Sequence, residues 1–196
     1  MEGEDAHGGS PMAGRRDALM AAAPLIAAVE EIALATLALS GEPGRGTVGV
    51  VEVYPSSRNV APSRVFFSVD FRHSDPDALA RMGDALAARA AEIAAARKVT
   101  ATVRPFWYSP HTPFDAALVG RARDSAKARG LRWQEMPTAI GHDAVYMARK
   151  VPAVMIFTPC HGGLSHNEAE SITPAWAEAG LQVLADAAIA AANAKE

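Results

Sequence analysis

Six histidines are the residues of this chain best able to do chemistry: His7, His73, His111, His142, His161 and His166. An imidazole can ligate a metal, exchange a proton near neutrality, or donate to a developing oxyanion. The run from Cys160 to Glu170 places His161 and His166 with Glu168 and Glu170 on a loop containing Gly162 and Gly163. Imidazole and carboxylate together suit a divalent ion such as Zn or Mn, with His166 the leading ligand. The other reading is a polar loop with surface histidines. Cys160 and His161 are also a thiol and a base, but adjacent residues seldom present their side chains to each other. In Gly141-His142-Asp143, the glycine allows close backbone approach, so His142 is placed to touch a ligand. Asp143 suits the first turn of a helix. Arg72 offers a guanidinium fork for a carboxylate. Its alternatives are a pair with Asp70 or a solvated side chain. Asn59 closes the turn-rich stretch Tyr54–Asn59, where Asn is common for backbone reasons. His7-Gly8-Gly9-Ser10 precedes a helix, whose N-terminus favours an anion.

These residues need elements to hold them. Periodicity predicts a helix over Arg15–Ser40, with Leu19, Ala22, Ile26, Val29 and Ala33 on the face opposite Glu30 and Glu31. A strand is expected over Thr47–Val53. Arg64–Arg72 alternates Val65, Phe67, Val69 and Phe71 with a face that ends in Asp70 and Arg72, which reads as a strand. A helix over Asp75–Arg97 and a strand over Val99–Trp107 follow. With a strand before Asp5 this order would make a ferredoxin-like βαββαβ sandwich, but the chain leaves little room for that first strand. Tyr108–Pro113 is a proline-rich linker, which divides the chain into 1–110 and 111–196. The second part is expected to contain a helix over Asp115–Arg129, a short strand near Leu131–Gln134 and a short helix over His142–Lys150. An apolar buried strand over Val151–Phe157 and a last helix from Pro174 complete it. The fold class is α/β, or α+β.

Composition bounds the function. The chain has 196 residues, 49% hydrophobic and 21% charged, which excludes disorder. Of the apolar residues 43 are alanine, so the core is thin for its count. One cysteine excludes an internal disulfide framework. The net charge of -3 comes from interspersed charges with no basic patch, which argues against nucleic acid. The N-terminus is acidic and lacks an apolar segment, unlike a signal peptide. Ala21–Leu39 is interrupted by Pro24, Glu30 and Glu31, so it reads as a helix with one wet face rather than a membrane span. A soluble cytoplasmic protein is the expectation.

The order of the motifs is more specific than any one of them. His7-Gly-Gly-Ser-Pro-Met12, Arg15-Arg16-Asp17-Ala18-Leu19, Ser57-Arg58-Asn59-Val60, Val69-Asp70-Phe71-Arg72-His73, Gly141-His142-Asp143-Ala144 and Ser165-His166-Asn167-Glu168 follow one another along the chain. That set resembles the hydantoinase/carbamoylase amidases of the M20 metallopeptidase-like group. These include N-carbamoyl-L-amino-acid hydrolases, β-ureidopropionases and allantoate amidohydrolases. The resemblance implies that 1–110 is a ferredoxin-like lid, or dimerisation, domain. It implies that 111–196 is the C-terminal portion of an α/β metallopeptidase-like catalytic domain. It makes His166 a metal ligand for Zn, Mn or Co. Asn59 and Arg72 become the residues that grip a substrate carboxylate, and Gly141 and His142 a substrate-contacting pair. His7 becomes a catalytic donor to the oxyanion in the partner subunit of a homodimer.

The resemblance also carries a departure. The family's other metal ligands and its glutamate base lie upstream of the lid and have no counterpart here. The expected reaction is hydrolysis of a linear C–N bond in N-carbamoyl amino acids or related ureido acids, with this chain inactive alone. The alternatives are a non-catalytic dimerisation or substrate-binding module, or one half of a split two-chain amidase. A small-molecule substrate is expected in each case, with neither nucleic acid nor membrane as a partner.

Overall fold

The computed structural model describes residues 1–194. They fall into two units, Met1–His111 and Thr112–Glu196. In chain order the first contains β1 (Ala6–His7), α1 (Ala18–Ala35), α2 (Leu37–Ser40), β2 (Arg45–Tyr54), β3 (Val60–Ala61), β4 (Arg64–Arg72) and α3 (Pro76–Arg97). The second contains α4 (Ala116–Ala128), α5 (Asp143–Ala148) and α6 (Pro174–Ala192), with a 3-10 turn at His161–Gly163.

In the first unit β2 and β4 pair antiparallel from Arg45↔Arg72 to Tyr54↔Arg64, with an irregularity between Val48 and Val50. The other edge of β4 takes up the first residues of the chain. Glu2 bridges Arg64 on one side and Thr100 on the other, both antiparallel. Met1 and Val65 exchange backbone hydrogen bonds, each 2.9 Å, and the Gly3 amide donates to Ser63 O at 2.7 Å. The ladder therefore runs β2, β4, Met1–Gly3, Thr100, the order of a split βαβ sandwich. The first strand of that order is as short as expected, reduced to isolated bridges at Glu2, yet both of its edges are occupied. The strand expected over Val99–Trp107 shrinks to the bridge at Thr100.

Two helices cover one face of this sheet. Asp17 caps α1 by accepting from the Leu19 and Met20 amides at 2.9 and 3.0 Å. The buried residues of α1 are Ala18, Ala21, Ala22, Leu25, Ala28, Val29 and Ala33. That is the expected stripe rotated by about one position, so Leu19 and Ile26 sit at its margin. Ala18–Ser40 is long and apolar enough to cross a membrane by length and composition alone, a test that core helices also pass. Instead the stripe packs on the sheet, with Leu25, Val29, Leu86 and Ala90 meeting Met1, Val48, Phe67, Val69 and Phe71. The expected single helix ends at Thr36, whose buried hydroxyl donates to Ala33 O at 2.7 Å and accepts the Gly44 amide at 2.6 Å. Asp75 caps α3 through the Asp77 amide at 2.8 Å. That bond, helped by Arg81 and His73, holds its carboxyl below the usual carboxylate range.

Small residues let α1 approach β2. A Cβ on Gly46 would lie 2.9 Å from Val29 O, a backbone atom that has little room to shift. Gly46→Ala should therefore lower stability by about 1–3 kcal/mol, the usual cost of overpacking. A urea midpoint equal to that of the parent would contradict this packing.

In the second unit α4 packs on α6. Asp186 accepts from Arg129 Nε at 2.7 Å and Nη2 at 2.9 Å, and from Ser125 Oγ at 2.6 Å. Arg129 also donates to Gln182 Oε1 at 3.0 Å. Arg121 donates to Ala190 O. Asp115 and Thr173 cap their helices through the Leu118 and Trp176 amides. Neither Leu131–Gln134 nor Val151–Phe157 forms a strand among the described residues. A strand takes its hydrogen bonds from a neighbour, and neither stretch has one there.

Arg129, then Ser125, hold the Asp186 carboxyl down at about 2, from an ordinary 3.8. A depressed carboxylate contributes stability above its unfolded value and loses it as pH falls toward the folded one. Acid unfolding of the second unit should therefore begin between those two values, and Asp186→Asn should remove that part of the transition. Circular dichroism over an acid titration tests this, and identical profiles for both proteins would refute it.

Candidate functional site

The first unit joins two of the candidate residues. β1 and β3 pair antiparallel, with His7 opposite Val60, and the Gly8 amide donates to Asn59 O at 2.6 Å. A Cβ on Gly8 would sit 2.9 Å from that oxygen, so the close approach requires glycine. The turn is tied from below by Arg15. Its guanidinium donates to Gly8 O at 2.6 Å and to Ser10 O at 2.8 and 3.1 Å. Arg15 had no assigned role in the sequence reading, and its place within the Arg15–Leu19 motif was the available signal. Ser57 Oγ donates to Asn59 Oδ1 at 2.9 Å, which leaves the amide nitrogen of the exposed Asn59 as its donor. Beside this corner lies an open crevice of about 430 Å³ lined by Leu19, Val53, Pro55–Arg58, Val60 and Pro62. That is the size of a small-molecule cleft.

The imidazoles share one arrangement. His7 Nδ1 accepts the Gly9 amide at 3.1 Å, and His142 Nδ1 accepts the Ala144 amide at 3.0 Å. A nitrogen that accepts carries no proton, so the neutral ring keeps its hydrogen on Nε2. Both rings therefore present an Nε2–H donor. His142 is the N-cap of α5 itself, with Asp143 in the first turn. His73 is engaged differently. Its Nδ1 accepts from the Asp75 amide at 2.9 Å, and its Nε2 faces Glu42 O and Ser40 Oγ at 3.1 and 3.0 Å. It fastens the β4–α3 corner to the α2 end.

Arg72 is half-exposed and ion-paired with Asp70, at 2.6 Å from Nη2 and 3.0 Å from Nε. It stands at the opposite end of β4 from Arg64, which pairs with Tyr54 next to the Asn59 turn. Eight strand steps of about 3.3 Å separate Arg72 from Arg64 by roughly 26 Å. Asn59 and Arg72 therefore do not converge within one copy of the first unit.

In the second unit His166 adopts a left-handed φ of 56°. Its amide donates to Glu170 Oε2 at 3.0 Å, a contact that the sequence reading did not anticipate. Cys160 Sγ donates to Leu164 O at 3.0 Å, while the His161 ring packs against Trp176 tilted by 53°, with centroids 5.1 Å apart. The thiol and the imidazole are thus committed to different partners, which removes the nucleophile–base reading. No three His, Cys, Asp or Glu side chains gather into a metal-holding group among the described residues. The donors present do not fit a resident ion, because His166 has no set of further ligands gathered around it among the described residues.

Known proteins place this arrangement. Residues 2–190 match the family model described as peptidase family M20/M25/M40. An N-carbamoyl-L-amino-acid amidohydrolase of Rhizobium meliloti is 37% identical over 198 residues, covering 100% of this chain and 46% of that protein. An allantoate amidohydrolase of Bacillus subtilis is 32% identical, covering 95% and 44%. The crystal structure of a hydantoinase/carbamoylase family amidase from Burkholderia multivorans superposes with a TM-score of 0.87 at 42% identity, covering 100% of this chain and 47% of that one. A dinuclear metal-binding M20 peptidase of Bacillus subtilis shares the fold at 18% identity and a TM-score of 0.60. The chain spans about half the length of the relatives it matches. With the motif order, the split βαβ sandwich and the family match in agreement, the chain belongs to peptidase family M20/M25/M40, with hydantoinase/carbamoylase amidases among its relatives.

Proposed function

We propose that this chain is the substrate-gripping part of an amidohydrolase that cleaves the linear C–N bond of N-carbamoyl amino acids or related ureido acids. The observation that carries the reading is the uniform polarity of the candidate groups. His7 Nε2–H, His142 Nε2–H, the Asn59 amide nitrogen and the Arg72 guanidinium are all donors. A ureido acid presents the complement, a carboxylate and a carbonyl oxygen that turns anionic as its carbon becomes tetrahedral. Arg72 and Asn59 suit the carboxylate, and charge-assisted bonds of this kind are the strong ones. His7 Nε2–H suits the developing oxyanion, and His142 beside Gly141 suits the ureido group.

Hydrolysis also needs a group that activates water, and the described residues hold no such cluster. In this reading the remaining His166 ligand joins donors from a polypeptide region outside this chain. The purified chain should give no turnover of an N-carbamoyl amino acid with added Zn, Mn or Co. Metal-dependent turnover by the chain alone would overturn the division of labour.

The separation of Arg72 from the His7–Asn59 corner gives a specific role to a second copy. Two copies of the first unit, paired so that the Arg72 end of one faces the His7 end of the other, would bring all three to one ligand. β2 has β4 on one side only among the described residues, and Val50 and Val51 are exposed along it. Its open edge is the surface proposed for that pairing. Light scattering after size exclusion should show a dimer, and a monomer at high concentration would count against it. In the dimer Arg72→Ala should weaken binding of an N-carbamoyl amino acid about 10-fold or more, as expected for a lost charge-assisted bond. Calorimetry reads this, and unchanged affinity would remove Arg72 from the site.

A further inference from the structure

His7 must hold one ring nitrogen toward a ligand, yet it is exposed and is followed by two glycines. Glycine loses more freedom than any other residue when a turn is fixed. From within, the Ser10 amide donates to His7 O at 2.8 Å and the exposed Gly9 amide to His7 Nδ1 at 3.1 Å. Water competes for a bond so placed. Arg15 holds the turn from outside. Its partly buried guanidinium donates from Nη2 to Gly8 O at 2.6 Å and to Ser10 O at 2.8 Å, and from Nε to Ser10 O at 3.1 Å. Those two carbonyls flank Gly9, whose amide fixes the imidazole. Gly8 is gripped on both sides, because its own amide donates to Asn59 O at 2.6 Å. Arg15 also stands two residues before Asp17, the N-cap of α1, so the turn is tied to a buried helix. Its neighbour Arg16 pairs with Glu4 at 2.9 Å, whereas Arg15 forms no ion pair among the described residues.

We propose that Arg15 is the positioning residue of this site. By gripping Gly8 O and Ser10 O it keeps the Gly9 amide on His7 Nδ1, and so holds the imidazole with Nε2–H as its free donor beside Asn59. The inference rests on the reading above of His7 and Asn59 as groups that contact the substrate. The direction of the clamp is not a matter of assignment, since a guanidinium only donates and a carbonyl only accepts. The clamp also needs a guanidinium in particular. Its donors lie in one rigid plane and reach two carbonyl oxygens at once, whereas a lysine ammonium is a point charge on a flexible stem. Loss of the fork frees both peptide groups around Gly9, and the ring then chooses its tautomer against water.

The test records the ring nitrogens of nitrogen-15-labelled histidine in the chain at about pH 8.5, where an ordinary imidazole is neutral, and amide exchange in the same samples. In the parent, His7 should show the single tautomer protonated at Nε2, and the Gly9 amide should be protected. Arg15→Ala and Arg15→Lys should both move the two His7 nitrogens toward the averaged values of a free histidine side chain and speed Gly9 exchange at least 10-fold. His142, which makes the same Nδ1 bond in the other unit, should keep its signature, and the amides of α1 should stay protected. Where alanine unfolds the first unit, the lysine variant decides. Three results overturn the proposal: a His7 signature and Gly9 protection that persist in the variants, full retention by lysine alone, or loss of α1 protection together with them, which would make Arg15 a residue of the fold. Turnover is not read, so failure here leaves the proposed substrate class standing.

Discussion

The first unit depends on three residues that lie between two strands. Met1–Gly3 pairs with β4 on one side and with Thr100 on the other, so the end of α3 cannot return to the sheet without it. The fit is tight, because a Cβ on Gly3 would stand 1.8 Å from Arg16 O. From there the Glu4 amide donates to Arg16 O, and the chain runs on into β1. The same central segment therefore joins the sheet and sets the height at which His7 meets the Asn59 turn. Burial around Met1 lowers its ammonium below the ordinary value, as a site inside a ladder should.

The candidate site follows a second constraint, which is local. Imidazole becomes a fixed donor when its Nδ1 accepts a backbone amide two residues ahead. His7 and His142 both do this, one in a glycine turn and the other at a helix N-cap. The bond does two things: it satisfies an amide that a turn would leave bare, and it decides which ring nitrogen is left to donate. His73 shows the contrast. The same Nδ1 bond is present, but its Nε2 is turned onto Glu42 O and Ser40 Oγ, so the ring is consumed by structure.

Much of this was legible in the residues and some was not, for physical reasons. The β4 alternation, the Asp75 cap and the Met82–Leu86–Ala90 stripe of α3 are short-range signals that burial reinforces. Met1–Gly3 has no strand-like composition; its conformation comes from two partners distant in sequence, which period counting does not register. The rotation of the α1 stripe has a similar origin, since alanine on every side leaves the buried face to be chosen by what it packs against. For the site, the polar end of β4 drew attention to Arg72, but that Arg64, roughly 26 Å away along the strand, pairs with Tyr54 beside the Asn59 turn follows only from the β2–β4 register. The donor state of the histidines was equally hidden, because it resides in amide geometry.

The two units differ in where their hydrogen bonds are made, and this explains how each holds together. α4 and α6 close their backbone bonds internally and are fastened to each other by Asp186, Arg129 and Ser125. A strand has no such independence: each of its amides needs a neighbouring chain. In the first unit the neighbours are all within 111 residues, and a ladder forms. In the second, the apolar stretch Val151–Phe157 sits without a ladder among the described residues, while Met1–Gly3, with no strand-like composition, pairs on both edges. Propensity and pairing have been separated, and pairing decides. The loop from Cys160 to Glu170 follows that unpaired stretch directly, so its own bonds, from the His161 amide to Ser171 O and from the His166 amide to Glu170, are what hold it.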